Sequence, residues 1–361
     1  SPWAAAVPAL LSFFAILALI LDAETAVSAA SAGLQLCLQT VVPSLFPFLV
    51  AARLFTSSGA VEWCARVVGP VMGPAFGLPP QGAAALVLGL LGGYPVGAQT
   101  AATLYGERLL TKAEAERLLA FCSNAGPAFI FGMVGGLFGS GKIAAVLFGI
   151  HIVSALLTGL IFRPRGNQVL ASSGNTIRKP ASKLDFSAVM TGAVKTMGLI
   201  CGCILLFQVI VAFLERALGT WMPPAVEIGL SGLLELAGGC SRLPQLEAAG
   251  LRYCMASGFL AFGGLCVWLQ TKSVIAPYGL TGRYYLSGKV LQGTIAVLLT
   301  WGIQVVYPSW LPRTLPTAAF PNHAGLLRAT AIVTALFLCG LGIWCLRLRK
   351  KAGKEEALDV Y

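Results

Sequence analysis

Two stretches decide the fold: residues 88–100, LGLLGGYPVGAQT, and residues 231–244, SGLLELAGGCSRLP. Each is an apolar run interrupted at a Gly-Gly pair, Gly92-Gly93 in one and Gly238-Gly239 in the other. Each follows a Pro-Pro dipeptide, Pro79-Pro80 or Pro223-Pro224. The copies lie 144 and 146 positions apart, measured at the Pro-Pro and Gly-Gly pairs, which reads as an internal duplication. Residues 82–105 are numerous enough to cross a bilayer, but Gly92-Gly93-Tyr94-Pro95 joins two residues of low helix propensity to a proline that removes a backbone donor. Backbone groups freed in hydrocarbon are costly unless protein or water satisfies them, so such a break belongs beside a cavity. Both stretches are therefore read as re-entrant hairpins; for any one break taken alone, a kinked helix competes.

Working outward, composition sets the class. Of 361 residues 57% are hydrophobic and 11% charged, and the mean hydropathy is +0.81. These values describe an integral membrane protein. Apolar runs long enough to span hydrocarbon, about 20 residues, fall at 3–21, 27–54, 118–138, 143–162, 188–214, 253–275, 284–307 and 326–346. The expectation is an all-α polytopic protein in the lipid bilayer, with about eight crossings plus two hairpins. The first run has no Lys or Arg before it and no clear cleavage site before Asp22, so it is read as a helix and not as a signal peptide.

The formal charge of +11 raises the question of nucleic acid. The basic residues instead cluster in connecting segments: Arg163, Arg165, Arg178, Lys179 and Lys183 centrally, and Arg347, Arg349, Lys350, Lys351 and Lys354 at the end. With both hairpins re-entrant, four crossings separate the central linker from each terminus. Six of the 25 basic residues (Lys142, Arg216, Arg242, Arg252, Arg313, Arg328) then face one side, Lys195 lies within a span, and the other 18 share the side of the linker and both termini. That asymmetry follows the positive-inside rule, with both termini cytoplasmic, and removes the case for nucleic acid. The 10 cysteines show no metal spacing and read as small buried hydrophobes.

The expected organisation is an N-terminal helix (1–22); a first repeat (23–163) with its hairpin at about 82–105 and a broken helix at about 113–138; a basic cytoplasmic linker (164–184); a second repeat (185–307) with its hairpin at about 226–250 and a broken helix at about 253–276; an external loop and last helix (308–346); and a basic tail (347–361). The breaks within the crossing helices are expected at Ser123-Asn124-Ala125-Gly126-Pro127 and Ala256-Ser257-Gly258. Three crossings per repeat is odd, so the second copy inserts upside down. Inverted repeats with paired interrupted segments are a transporter architecture, with the solute site at the repeat interface near the midplane.

Helices that begin at breaks present unpaired N–H groups and a positive dipole end, which suit a carboxylate or phosphate. In the first half the candidate solute-binding residues are Gly93, Tyr94, Gln99, Thr100, Ser123 and Asn124; interhelical polar packing is the competing role. In the second half they are Lys195, Glu235, Gly239, Arg242 and Ser257. Intramembrane charges are functional candidates by default. Lys195 or Arg242 would meet a solute carboxylate while Glu235 balances charge or takes up a coupling proton; the alternative is a structural ion pair between Glu235 and one of them. His151 is read as a hydrogen-bonded packing residue ahead of a proton relay. HExxH, GxSxG and P-loop patterns are absent from the sequence, and GSGK at 139–142 lacks the P-loop spacing, so an enzyme is not expected.

The motifs GGYPVGAQTAATL (92–104), LTKAEAERLLAF (110–121), CSNAGPAFIFG (122–132) and GLLELAGG (232–239) resemble the YlbJ-type sporulation membrane proteins of the nucleoside-recognition (Gate) family. That resemblance spans roughly residues 33–307. It implies a fold similar to concentrative nucleoside transporters: inverted repeats, each with a re-entrant hairpin and an unwound helix. It also implies a bacterial cell membrane or outer forespore membrane, and dipicolinic acid, a small aromatic dicarboxylate, as solute. A nucleoside or related heterocycle comes next, then a non-transporting scaffold for spore assembly. No cofactor is expected; the coupling ion, proton or sodium, is left open, and a homo-oligomer is compatible with the resemblance.

Overall fold

A computed structural model of the chain describes residues 2–57, 60–164, 185–218, 221–307 and 309–311. The linker residues 165–184, the last apolar run and the basic tail lie outside the described residues. Those described are helical, without a strand among them. Five of their helices are long and apolar enough to cross a membrane: Ala23–Phe55, Gly141–Ile161, Phe186–Leu218, Ala249–Tyr278 and Tyr285–Val306. Residues 118–138, expected as a crossing with a break, do not form one continuous helix.

In the first half, α1 (Pro2–Leu21) leads into α2 (Ala23–Leu36), which starts where the Asp22 carboxylate accepts from Thr25 N at 3.3 Å. A π-helical segment, Cys37–Val41, joins α2 to α3 (Val42–Ser57). The short helices α4 (Ala60–Val67) and α5 (Gly69–Val71) bring the chain towards Pro79-Pro80 and into α6 (Gly82–Gly92) and α7 (Val96–Gly106). Here the chain reverses. A methyl on Gly89 would sit 3.1 Å from Gly97 Cα, whereas residues eight apart in a continuous helix are separated by about 12 Å. Only the missing side chains let the two helices approach so closely. Next, α8 (Lys112–Leu118) opens on a capping box between Thr111 and Glu114. The backbone then unwinds over residues 123–126 before a π-helical segment, Ala128–Val134, α9 (Gly135–Leu137) and α10 (Gly141–Ile161).

In the second half, the long α11 (Phe186–Leu218) precedes α12 (Pro224–Leu234) and α13 (Leu236–Arg242). The chain reverses again: a methyl on Gly239 would sit 2.5 Å from Gly232 N. Then come α14 (Ala249–Phe262), α15 (Gly264–Ile275) and α16 (Tyr285–Val306). The break expected at Ala256-Ser257-Gly258 is not there, because α14 runs through all three residues. The Ser257 hydroxyl donates to Cys254 O at 3.0 Å within its own helix. The chain breaks instead at Gly263-Gly264, with φ of +84° and +80°, a region that favours glycine. Gly264 presses against Leu234 O and Leu236 N, which a side chain would meet at 3.2 and 3.3 Å.

Elements in matching positions pack on one another: α2 and α3 on α11, and α10 on α16. Glu116 ties the halves further, accepting from Thr281 N at 2.6 Å, Thr281 Oγ1 at 2.9 Å and Arg283 N at 2.8 Å. The outward faces are apolar, with Leu206 and Ile210 of α11 and Val290, Leu298, Trp301 and Val305 of α16 exposed. In water such a surface would be a liability; against lipid it is the expected one.

Candidate functional site

The four interruptions meet. Gly93, at the tip between α6 and α7, lies against Gly126 of the first unwound segment, where an added methyl would stand 3.0 Å from Gly126 N. Gly264 of the second break lies against Leu234 and Leu236 at the other tip. Tyr94 joins the halves: its hydroxyl donates to Leu260 O at 3.0 Å, and its ring lies beside Gly263. Each interruption is thus braced by another.

Where they meet there is a cavity of about 540 Å³, counted to its open mouth. One hairpin tip contributes Gly93 and Tyr94, the other Glu235 and Leu236, and the first unwound segment Ala125 and Gly126. Phe129, Ile200, Ile204 and Val267 make most of the rest apolar, and Gln270 adds an amide. An apolar hollow with a few converging polar groups is the usual form of a small-molecule site.

Glu235 has a defined job. Its carboxylate accepts from Ala237 N at 2.8 Å and Gly238 N at 2.5 Å, which makes it the N-cap of α13, and Gln208 of α11 donates to it at 3.2 Å. It therefore occupies the anion position that the start of α13 would otherwise offer. The alternative of an ion pair with Lys195 or Arg242 is not what forms. Arg242 pairs with Glu215, and with Glu227 at 3.4 Å, and Lys195 is exposed on α11.

Of the residues singled out from sequence, Gly93, Tyr94 and Glu235 line the cavity. Gln99 and Thr100 lie further along α7, where Gln99 accepts from Arg53 at 3.4 Å and Thr100 donates to Val96 O at 2.9 Å. Gly239 forms the crossing with Gly232, and Ser257 accepts from Thr300 Oγ1 at 2.7 Å. Ser123 and Asn124 belong to a second polar group beside the cavity. Asn124 donates to Phe121 O at 2.8 Å and accepts from Gln292 at 2.9 Å, and Gln292 in turn accepts from Lys289 Nζ at 2.7 Å. His151 Nε2 accepts from Ala125 N at 3.1 Å, so the freed amide of the unwound segment is satisfied.

Lys289, Gln292, Tyr285, Thr271 and Gln270 were not among the expected site residues. The sidedness argument counts Lys289 with the cytoplasmic basic residues, yet it is fully buried in α16. A signal existed: Tyr285, Lys289, Gln292 and Thr300 recur at helical spacing on the buried face, while Leu286, Val290, Leu298, Trp301 and Val305 face out. A helix that hides its polar side is lining something.

The Gate family, described as nucleoside recognition, matches residues 38–217, from the first crossing to the end of α11. The chain is also similar to a sporulation integral membrane protein, YlbJ, of Bacillus subtilis (strain 168). The two are 27% identical over 383 aligned residues, covering 91% of this chain and 93% of the relative. No solved structure matches the chain.

Proposed function

From the match of residues 38–217 to the nucleoside-recognition (Gate) family and the likeness of the chain to a sporulation integral membrane protein, we propose that it transports a small anionic solute by alternating access. The observation that carries this is the convergence of both hairpin tips and the first unwound segment on one cavity, with the second break braced against both tips. Interrupted backbone is tolerated at membrane depth where it lines such a space. The two halves are inverted repeats whose hairpins α6–α7 and α12–α13 enter from opposite faces, and one bundle rocks against the other around the cavity.

The solute's ring lies against Phe129, Ile200, Ile204 and Val267, with Gln270 and the Tyr94 hydroxyl as polar contacts. Glu235, the carboxylate at the cavity wall, takes up the coupling proton, and this relieves its repulsion of an anion. Dipicolinic acid leads as substrate through the likeness to YlbJ-type sporulation proteins, with outer forespore membrane as the matching location. A nucleoside or related heterocycle is the second reading, favoured by the mostly apolar wall and the Gln270 amide. The open cavity weighs against a non-transporting scaffold, in which helix packing would seal the breaks. No enzymatic role is proposed.

The test is uptake into proteoliposomes of dipicolinate, uridine and simple dicarboxylates, with and without proton or sodium gradients. Gradient-dependent uptake of dipicolinate over uridine is expected. Failure of all of these solutes to move under every gradient refutes the reading.

A further inference from the structure

Beyond the cavity wall, α16 carries a buried lysine amine with no acidic partner among the described residues. Lys289 is fully buried; its Nζ makes one hydrogen bond, to Gln292 Oε1 at 2.7 Å, and stands 5.4 Å from the centre of the Tyr94 ring. Among the described residues it has no ion-pair partner. Cys122 and His151 are its electrostatic neighbours, and neither supplies a carboxylate. One turn before it, the Tyr285 hydroxyl faces those of Thr271 and Ser123, yet none of the three closes a hydrogen bond of ordinary geometry. All three residues are nearly or wholly buried.

A buried amine with no acidic partner, beside three hydroxyls that face one another without closing an ordinary hydrogen bond, is costly in a membrane interior. Together these groups offer more donors than the protein around them accepts. We infer that the side chains of Lys289, Ser123, Thr271 and Tyr285 bind a carboxylate group of the solute, which deepens and rests on the transport reading above. A carboxylate has the complementary chemistry: it accepts from an ammonium and several hydroxyls at once and brings the missing charge. Tyr94 stands between the two, lining the cavity and presenting its ring to Lys289. The apolar cavity then holds the body of the solute while Lys289 and the three hydroxyls hold its acid group. Gln292, bonded to both Lys289 and Asn124, aims the ammonium and couples it to the unwound segment.

The test is ligand binding to the purified full chain in detergent, by calorimetry, with three probes: dipicolinate, benzoate and the uncharged pyridine-2,6-dicarboxamide. Lys289→Met is expected to weaken both carboxylates by roughly 10- to 100-fold, as loss of one charge-assisted hydrogen bond would, and to leave the dicarboxamide nearly unchanged. Gln292→Glu is the second variant. It sets a carboxylate in place of the amide oxygen 2.7 Å from Nζ, so it should displace the carboxylate probes equally well while melting no lower than the unaltered chain. The inference is overturned if the unaltered chain binds neither carboxylate, if Lys289→Met leaves their affinity within about twofold, or if all three probes weaken together. Proteoliposome uptake of dipicolinate separates the two proposals. Binding that needs Lys289 without uptake would sink transport alone, and uptake indifferent to Lys289→Met would sink the carboxylate site alone.

Discussion

Gly89→Ala tests the first hairpin at its tightest point. The new methyl would fall far inside contact distance of the Cys122 carbonyl oxygen, 2.9 Å from the carbonyl carbon and 3.1 Å from Gly97 Cα. An ordinary carbon–carbon contact is about 3.5–4.0 Å. All three obstacles are backbone atoms, so no side chain can rotate away. The hairpin must part from the unwound segment by roughly an ångström, and the Gly93–Gly126 approach is lost with it. Overpacking of this kind costs about 1–3 kcal/mol, and an unrelieved backbone clash belongs at the upper end. For a chain of this size that lowers Tm by about 3–4 °C. Gly198→Ala on α11 is the control: nothing lies within 4 Å of the site, and replacing a mid-helix glycine should stabilise by about 0.5–1 kcal/mol. Thermal unfolding in detergent, followed by tryptophan fluorescence, gives both numbers. Should the two variants melt alike, α6 and α7 do not cross at Gly89.

The remaining predictions concern charge and direction. Glu235→Gln keeps one acceptor at the α13 N-cap but faces an amide group to the helix N–H groups; stability should fall by about 1 kcal/mol and uptake should lose its dependence on a proton gradient, so retained dependence removes Glu235 from coupling. Arg242→Gln should leave uptake intact, because the guanidinium is committed to Glu215 and Glu227; abolished uptake in a folded variant would return Arg242 to the site. Re-entry from opposite faces predicts that Gln81→Cys and Glu107→Cys, on a cysteine-free background, react with an impermeant thiol reagent from one side, and Trp221→Cys and Glu247→Cys from the other. Labelling of Gln81→Cys and Glu107→Cys from opposite sides would make α6–α7 a crossing.

What was legible in the sequence is what backbone chemistry announces. Glycine pairs and prolines in apolar runs marked both reversals and the first unwound segment, because hydrocarbon tolerates such residues only in particular surroundings. The second break was misplaced by six residues. By helix propensity Phe262-Gly263-Gly264 is the weaker triplet; at the earlier position the serine satisfies its hydroxyl within its own turn, and at the later one Gly264 fits against the Leu234–Leu236 backbone. Side-chain pairing was the least legible. Arg242 stands seven residues from Glu235, yet its partners are Glu215 on α11 and Glu227 on α12. Lys289 was hidden by its nearness to the start of a span, where a lysine ordinarily reaches back to the headgroups.

On the transport proposal, two buried ionisable groups constrain what a cycle can carry. Glu235 lines the cavity with its carboxyl group engaged at the start of α13, and Lys289 stands behind Tyr94 with no acidic partner among the described residues. If the solute carboxylate neutralises Lys289 and a proton neutralises Glu235, a monocarboxylate leaves no uncompensated charge between the bundles. A dicarboxylate leaves one negative charge, and α7 and α15, which begin at the interruptions, turn positive dipole ends of about half a charge toward the region it would occupy. Without the proton, the same dicarboxylate would face Glu235 as a second anion in a low-dielectric space, where like charges repel most strongly. Proton uptake and anion binding should therefore be linked in one direction: each favours the other, and an acid outside drives the solute in.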